Sequence, residues 1–246
     1  MEIVAIVLAM VFGAIVKSVT GLGLPPVAIP VLAVFVGVEE AVIIMALPSM
    51  ITNLYLAWTY RSAWTSTRYL PMMLALCIVA SVIGAWVFIS VDVRMIAVLV
   101  VVLVFSYVVA MLRNPEFALP EEAARRAAGP VAVFGGLLQG STGISGTLFA
   151  PFLHSLRLSR PAFILSISLL FCVAAFGQLG GLIALGEYTW PILGRSLLAT
   201  ALVLVVMAYT TRRMVNIRRQ TFDWVVMAVQ VATASKLLYD AFIVNS

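Results

Sequence analysis

The amino-acid sequence predicts an all-α polytopic membrane protein of two inverted repeats, each a broken re-entrant helix pair followed by three transmembrane helices. Three observations carry that prediction: an extreme apolar composition, a glycine-rich interruption that occurs twice, and a lopsided distribution of arginine. Of 246 residues, 63% are apolar and 10% charged, and mean hydropathy is +1.14; roughly a quarter of the residues of a soluble domain are charged. The net charge of +5 would point to nucleic acid in a soluble chain. In a membrane chain, excess Lys and Arg set topology instead, so the expected partners are the lipid bilayer and a small solute, not nucleic acid.

The first element is the segment 2–36. Its opening residues, MEIVAIV, lack the basic stretch and small-residue cleavage site of a signal peptide, so this segment is expected to stay in the mature protein. As one helix it would reach about 50 Å, too long for a single span, and a Gly and Pro cluster interrupts it. Residues 13–30 read GAIVKSVTGLGLPPVAIP, and residues 135–151 read GGLLQGSTGISGTLFAP. Gly13 falls on Gly135, Lys17 on Gln139, and Thr20-Gly21 on Thr142-Gly143, so the interruption recurs after about 120 residues. A duplicated break in hydrophobic segments is the best sequence pointer to a transporter's binding site.

Spans of roughly 20 apolar residues, enough for a hydrocarbon core of about 30 Å, follow at 41–59, 69–90 and 93–112. Residues 113–127 are expected to form a cytoplasmic linker. The second half then repeats the plan, with an interrupted segment at 128–156 and spans at 162–185, 190–211 and 224–243. Tyr69-Leu-Pro71 matches Thr189-Trp-Pro191 at an offset of 120. Trp58, Tyr60, Trp64, Tyr69, Tyr188, Trp190 and Trp224 sit at span ends as interfacial aromatics do, whereas Trp86 lies deeper and is expected to pack. Cys77 and Cys172 fall in apolar runs and read as packing residues.

Arginine placement fixes the path of the interrupted segments. If each dips into the bilayer and returns, Arg61, Arg68, Arg113, Arg125, Arg126, Arg157, Arg160, Arg212, Arg213, Arg218 and Arg219 share one face. The other face receives Glu2, Glu39, Glu40, Asp92 and Glu187, with Arg94 its one loop cation. If each interrupted segment crossed once, the arginines would split between faces against the positive-inside rule. Re-entry leaves three crossings per half, which turns the second copy upside down and is expected to bring Thr20-Gly21 face to face with Thr142-Gly143 at one site.

A break inside a membrane exposes backbone groups that must be satisfied by a polar cavity or ligand. Pro25 starts the second half-helix of the first copy, whose N-terminus would offer N–H groups and a positive dipole end to an anion. Gly21, Gly23, Gly143 and Gly146 permit close backbone approach. Ser18, Thr20, Ser141, Thr142, Ser145 and Thr147 add hydroxyls. Lys17 would either supply charge to this cavity or snorkel to the surface, and Arg195 faces the same alternatives. Asn53 and Gln178 follow the breaks and would line the cavity or bond between helices; Gln139 joins them as the counterpart of Lys17. Lys236 and Asp240 read as a structural i, i+4 pair, and His154, near Arg157 and Arg160, sits at the arginine-rich rim. No Asp or Glu lies well inside a span, which favours a small anion over a cation. No catalytic residue, metal or cofactor is expected.

The paired motifs TGLGLPPVAIPVL and TGISGTLFAPFL, in a chain of 246 residues, resemble the TauE/SafE sulfite exporter family. That resemblance covers essentially the whole chain and implies a polytopic fold with repeated halves in the bacterial inner membrane. It implies a secondary transporter exporting sulfite, an organosulfonate or a related small anion. The signature maps onto Gly21, Gly23, Gly143 and Gly146, with Leu24-Pro25-Pro26 where more glycine is usual. A passive anion channel and a non-transporting accessory subunit are the alternative functions, and a homo-oligomer is left open.

Overall fold

The computed structural model describes residues 2–22, 24–66, 69–87, 109, 118–143, 145–213, 221, 224, 228, 231 and 235. Among them the architecture is all-helical: α1 (Glu2–Thr20), α2 (Leu24–Val36), α3 (Val38–Thr59), a 3₁₀ turn (Arg61–Ser66), α4 (Leu70–Val87), α5 (Glu121–Thr142), α6 (Gly146–Ser155), α7 (Arg160–Ala184) and α8 (Trp190–Arg213). Among the described residues, three stretches are long and apolar enough to cross a membrane: Glu39–Thr59, Arg160–Ala184 and Trp190–Thr211. The spans expected at 93–112 and 224–243, and the Lys236–Asp240 pair, lie almost wholly outside the described residues.

Each break makes a helical hairpin. After Gly21 the chain doubles back, so that Leu24 packs against Gly13 of α1; a Cβ at Gly13 would stand 3.3 Å from the Leu24 Cα. The second hairpin repeats this, with Gly135 of α5 lying under the Phe149 ring of α6. Its entry and exit are adjacent, since Leu119 N donates to Ser155 O at 3.0 Å. The glycines matched by sequence, Gly13 and Gly135, therefore do the same work in the two hairpins.

α5 begins at Glu121, so residues 121–127, expected in the linker, are its first turns. The local chemistry explains this: Pro120 precedes the helix, Glu121 and Glu122 face its positive end, and the alanine-rich stretch has high helix propensity. α7 starts on Ser159, whose side chain accepts from Ala162 N, with Pro161 in the first turn. Glycines let α4 approach its neighbours closely. A Cβ at Gly136 would lie 2.6 Å from the Cys77 O, and one at Gly181 2.5 Å from the Ala85 Cβ, the small-residue packing typical of membrane helices.

Most of α7 is buried, whereas α8 presents mostly exposed surface. Val79, Ile83 and Trp86 share one exposed face of α4. Trp86 thus faces outward and does not pack, because the opposite face of α4 meets α5 and α7 through its small residues. Trp58, Trp64, Trp190 and Trp224 are exposed. Cys77 and Cys172 are free thiols.

Candidate functional site

The first break is closed by local hydrogen bonds. Gly21 has a φ of 77°, and its N–H donates to Lys17 O at 2.8 Å, a left-handed helix cap that a side chain would strain. The Thr20 hydroxyl lies 2.9 Å from the Val16 O and accepts from Leu22 N at 3.0 Å, so it satisfies backbone left over by the turn. One turn earlier, the Lys17 side chain points inward and is 1% exposed. Its Nζ donates to Asn53 Oδ1 at 2.7 Å, and Asn53 is oriented for this because its Nδ2 donates to Ser49 O at 2.7 Å. The Phe171 ring lies below, 5.7 Å from Nζ.

An ammonium has three donors, and Asn53 takes one. Among the described residues no carboxylate reaches Lys17 Nζ. Burying a cation without a counter-ion is strongly unfavourable, so the surroundings of Lys17 fit an anion far better than a cation. Ser18 Oγ and Thr210 Oγ1, 2.7 Å apart, tie this part of α1 to α8.

The second break repeats the cap and the amide pair. Gly143 has a φ of 71°, and its N–H donates to Gln139 O at 2.9 Å. Gln139 Nε2 donates to Gln178 Oε1 at 3.3 Å, while Ser145 Oγ donates to Gln139 Oε1 at 2.7 Å. Lys17 with Asn53 and Gln139 with Gln178 are therefore equivalent pairs: a residue one turn before the glycine cap, bonded to an amide of a long helix. Thr147 Oγ1 is buried without a hydrogen-bond partner among the described residues.

The two motifs touch, but not where the sequence places them. A Cβ at Gly146 would stand 3.2 Å from Leu22 Cδ2 and 3.4 Å from the Phe171 Cζ, so Leu22 and Gly146 form the contact. Gly21 and Gly143 do not face each other. Gly21 lies against Ile164 and Ile167, and Gly143 beside Gln178, positions 11–14 residues apart on α7 or about 16–21 Å along its axis. With 19 residues in α1 and 22 in α5, each hairpin reaches past the other's tip.

Other expected site residues fall elsewhere. Arg195 pairs with Glu40 at the opposite end of α3 from Asn53, its side chain 54% exposed. It helps line a cavity of about 690 Å³ that also gathers Glu39, Glu40 and Glu187, three acids expected to share a face. Ser141 Oγ bonds back to Leu137 O of its own helix at 2.9 Å. Pro25 is the second residue of α2. Gly23 and the side chain of Thr142 lie outside the described residues. Phe171, Leu22 and Ser49 were not singled out from sequence; Phe171 and Ser49 carry a signal only in retrospect, Phe171 two turns from Gln178 and Ser49 one turn from Asn53.

Among the described residues no group of three or more His, Cys, Asp or Glu is placed to hold a metal ion. Paired hairpins converging on buried polar groups, beside long apolar helices, define an integral membrane protein of the transport class. The chain matches the family model described as "Sulfite exporter TauE/SafE" over residues 5–237. It belongs to that family, whose members are membrane transporters of sulfite and related anions. No curated protein and no solved structure matches the chain.

Proposed function

We propose that this chain is a secondary transporter that exports a small anion, sulfite or an organosulfonate, across the bacterial inner membrane by alternating access. The two hairpins are read as re-entrant and inversely oriented, with the arginine-rich loops cytoplasmic. Three supports carry the orientation: the arginine distribution, the adjacent entry and exit of the second hairpin, and the shared cavity of Glu39, Glu40 and Glu187. The anion is held between the hairpins. Lys17 supplies charge, Asn53 positions Lys17, and Ser145, Thr147, Gln139 and Gln178 supply hydrogen bonds. Rocking of one half against the other would slide the Leu22–Gly146 contact and alternate access.

The single observation that carries the reading is the side-chain amine of Lys17, 1% exposed and bonded to a neutral amide. An ionisable group so placed inside a membrane is a functional residue by default. The test is uptake of labelled sulfite into proteoliposomes of purified protein. Saturable uptake, accelerated by unlabelled sulfite on the opposite side, is the expected result. Uptake without that acceleration identifies a channel, and uptake no faster than into empty vesicles sinks both readings.

A further inference from the structure

The matched pairs differ in one property, charge. Lys17 and Gln139 both stand one turn before a left-handed glycine whose N–H returns to their carbonyl, and both bond an amide, Asn53 or Gln178. Lys17 is the one Lys or Arg among the buried polar residues described. Arg160 reaches Val19 O near the first hairpin's tip, at the start of α7. Phe171, which faces Lys17 Nζ, is eleven residues further on, about 16 Å along that helix.

The second subsite offers neutral donors. Gln139 Oε1 accepts from Ser145, and its Nε2 serves Gln178 Oε1. Gln178 Nε2 is thereby left facing the turn at Gly143, 3.7 Å from where a Cβ would stand, with no hydrogen bond to a described residue. Gln178 is 1% exposed. Phe171 and Gln178 are seven residues apart and so share a face of α7, about 10 Å apart along the axis. Ala174 and Ala175, both fully buried, lie between them.

Resting on the transport reading above, we infer that this site selects a singly charged anion, with Lys17 binding the charge and Gln139 with Gln178 setting the specificity by offering neutral amide donors where a second cation would otherwise stand. A monosulfonate or hydrogensulfite brings a single charge, which Lys17 meets. A dianion of the same size brings a second charge into the site, where no described cation meets it.

The experiment is a binding titration of the purified full chain with methanesulfonate and methanedisulfonate, one charge against two. Wild type is expected to bind the monosulfonate at least about tenfold more tightly, because an uncompensated buried charge is strongly disfavoured. Gln139→Lys, which places a cation at the matched position, is expected to reverse that order, and Gln178→Lys serves where the first variant does not fold. Equal or tighter disulfonate binding by wild type overturns the inference, as does an unchanged order in folded lysine variants. If wild type binds neither sulfonate nor sulfite, the transport reading itself fails and takes this inference with it.

Discussion

Replacing Lys17 by Met separates an anion ligand from a structural lysine. The substitution keeps the length of the side chain but removes the ammonium that donates to Asn53 Oδ1 at 2.7 Å. A hydrogen bond to a charged group contributes about 1.5–3 kcal/mol. At about 1.4 kcal/mol per tenfold, anion affinity should fall roughly 10- to 150-fold. Stability should move the other way or hold. Asn53 loses a donor, costing about 1–3 kcal/mol, but the penalty for burying an ammonium without a counter-ion, several kcal/mol, is relieved. The assay is thermal melting in detergent with and without methanesulfonate, since a ligand that binds the native state alone raises its stability. The expected signature is an unshifted or raised melting temperature without anion and loss of the anion-induced rise. Wild-type affinity in Lys17→Met refutes the assignment, and wild-type affinity with reduced stability would mark Lys17 as structural.

Asn53→Asp is nearly isosteric and sets a carboxylate against Lys17 Nζ. It should abolish sulfite uptake while the protein still folds, and uptake at the wild-type rate would show that the Lys17 charge is not used. Gly21→Ala and Gly143→Ala both force a side chain into left-handed backbone, costing about 1–2 kcal/mol. Gly21→Ala should melt lower, because its Cβ would meet Ile167 Cγ2 at 2.9 Å while the nearest atoms among the described residues stand 3.6 Å from that of Gly143; the opposite order in thermal melts contradicts the packing. Arg195→Ala removes an exposed ion pair with Glu40 and should change stability by no more than about 1 kcal/mol. Its transport KM should match wild type, and a large rise would place the anion at the outer cavity instead.

The breaks were legible because glycine and proline punctuate helices wherever they occur, and the structure places both turns at Thr20-Gly21 and Thr142-Gly143. Even the hairpin packing glycines, Gly13 and Gly135, align in the sequence. The start of α5 was also legible in principle, since Pro120-Glu121-Glu122 followed by alanines is a helix start. What was hidden depends on rotation and depth. Nothing in the residue order says that Lys17 turns toward Asn53 and away from lipid, because that choice rests on how α1 packs against α2 and α8. The same holds for Trp86, whose outward direction follows from the small residues on the far side of α4. The depth of each tip is set by hairpin length, so two motifs of similar sequence could overlap without their glycines meeting. Arg195, near the start of α8, lay within reach of Glu40 on a neighbouring helix, a pairing that sequence separation conceals.

The central claim, that an anion sits at Lys17 between the two hairpins, is tested most directly by anomalous diffraction from crystals soaked in selenite, a heavier analogue of sulfite. The account predicts a selenium peak beside Lys17 with an oxygen in hydrogen-bond reach of Nζ, on the side of Phe171 and Gly146. A peak at the Arg195–Glu40 cavity alone, with none at Lys17, would contradict it.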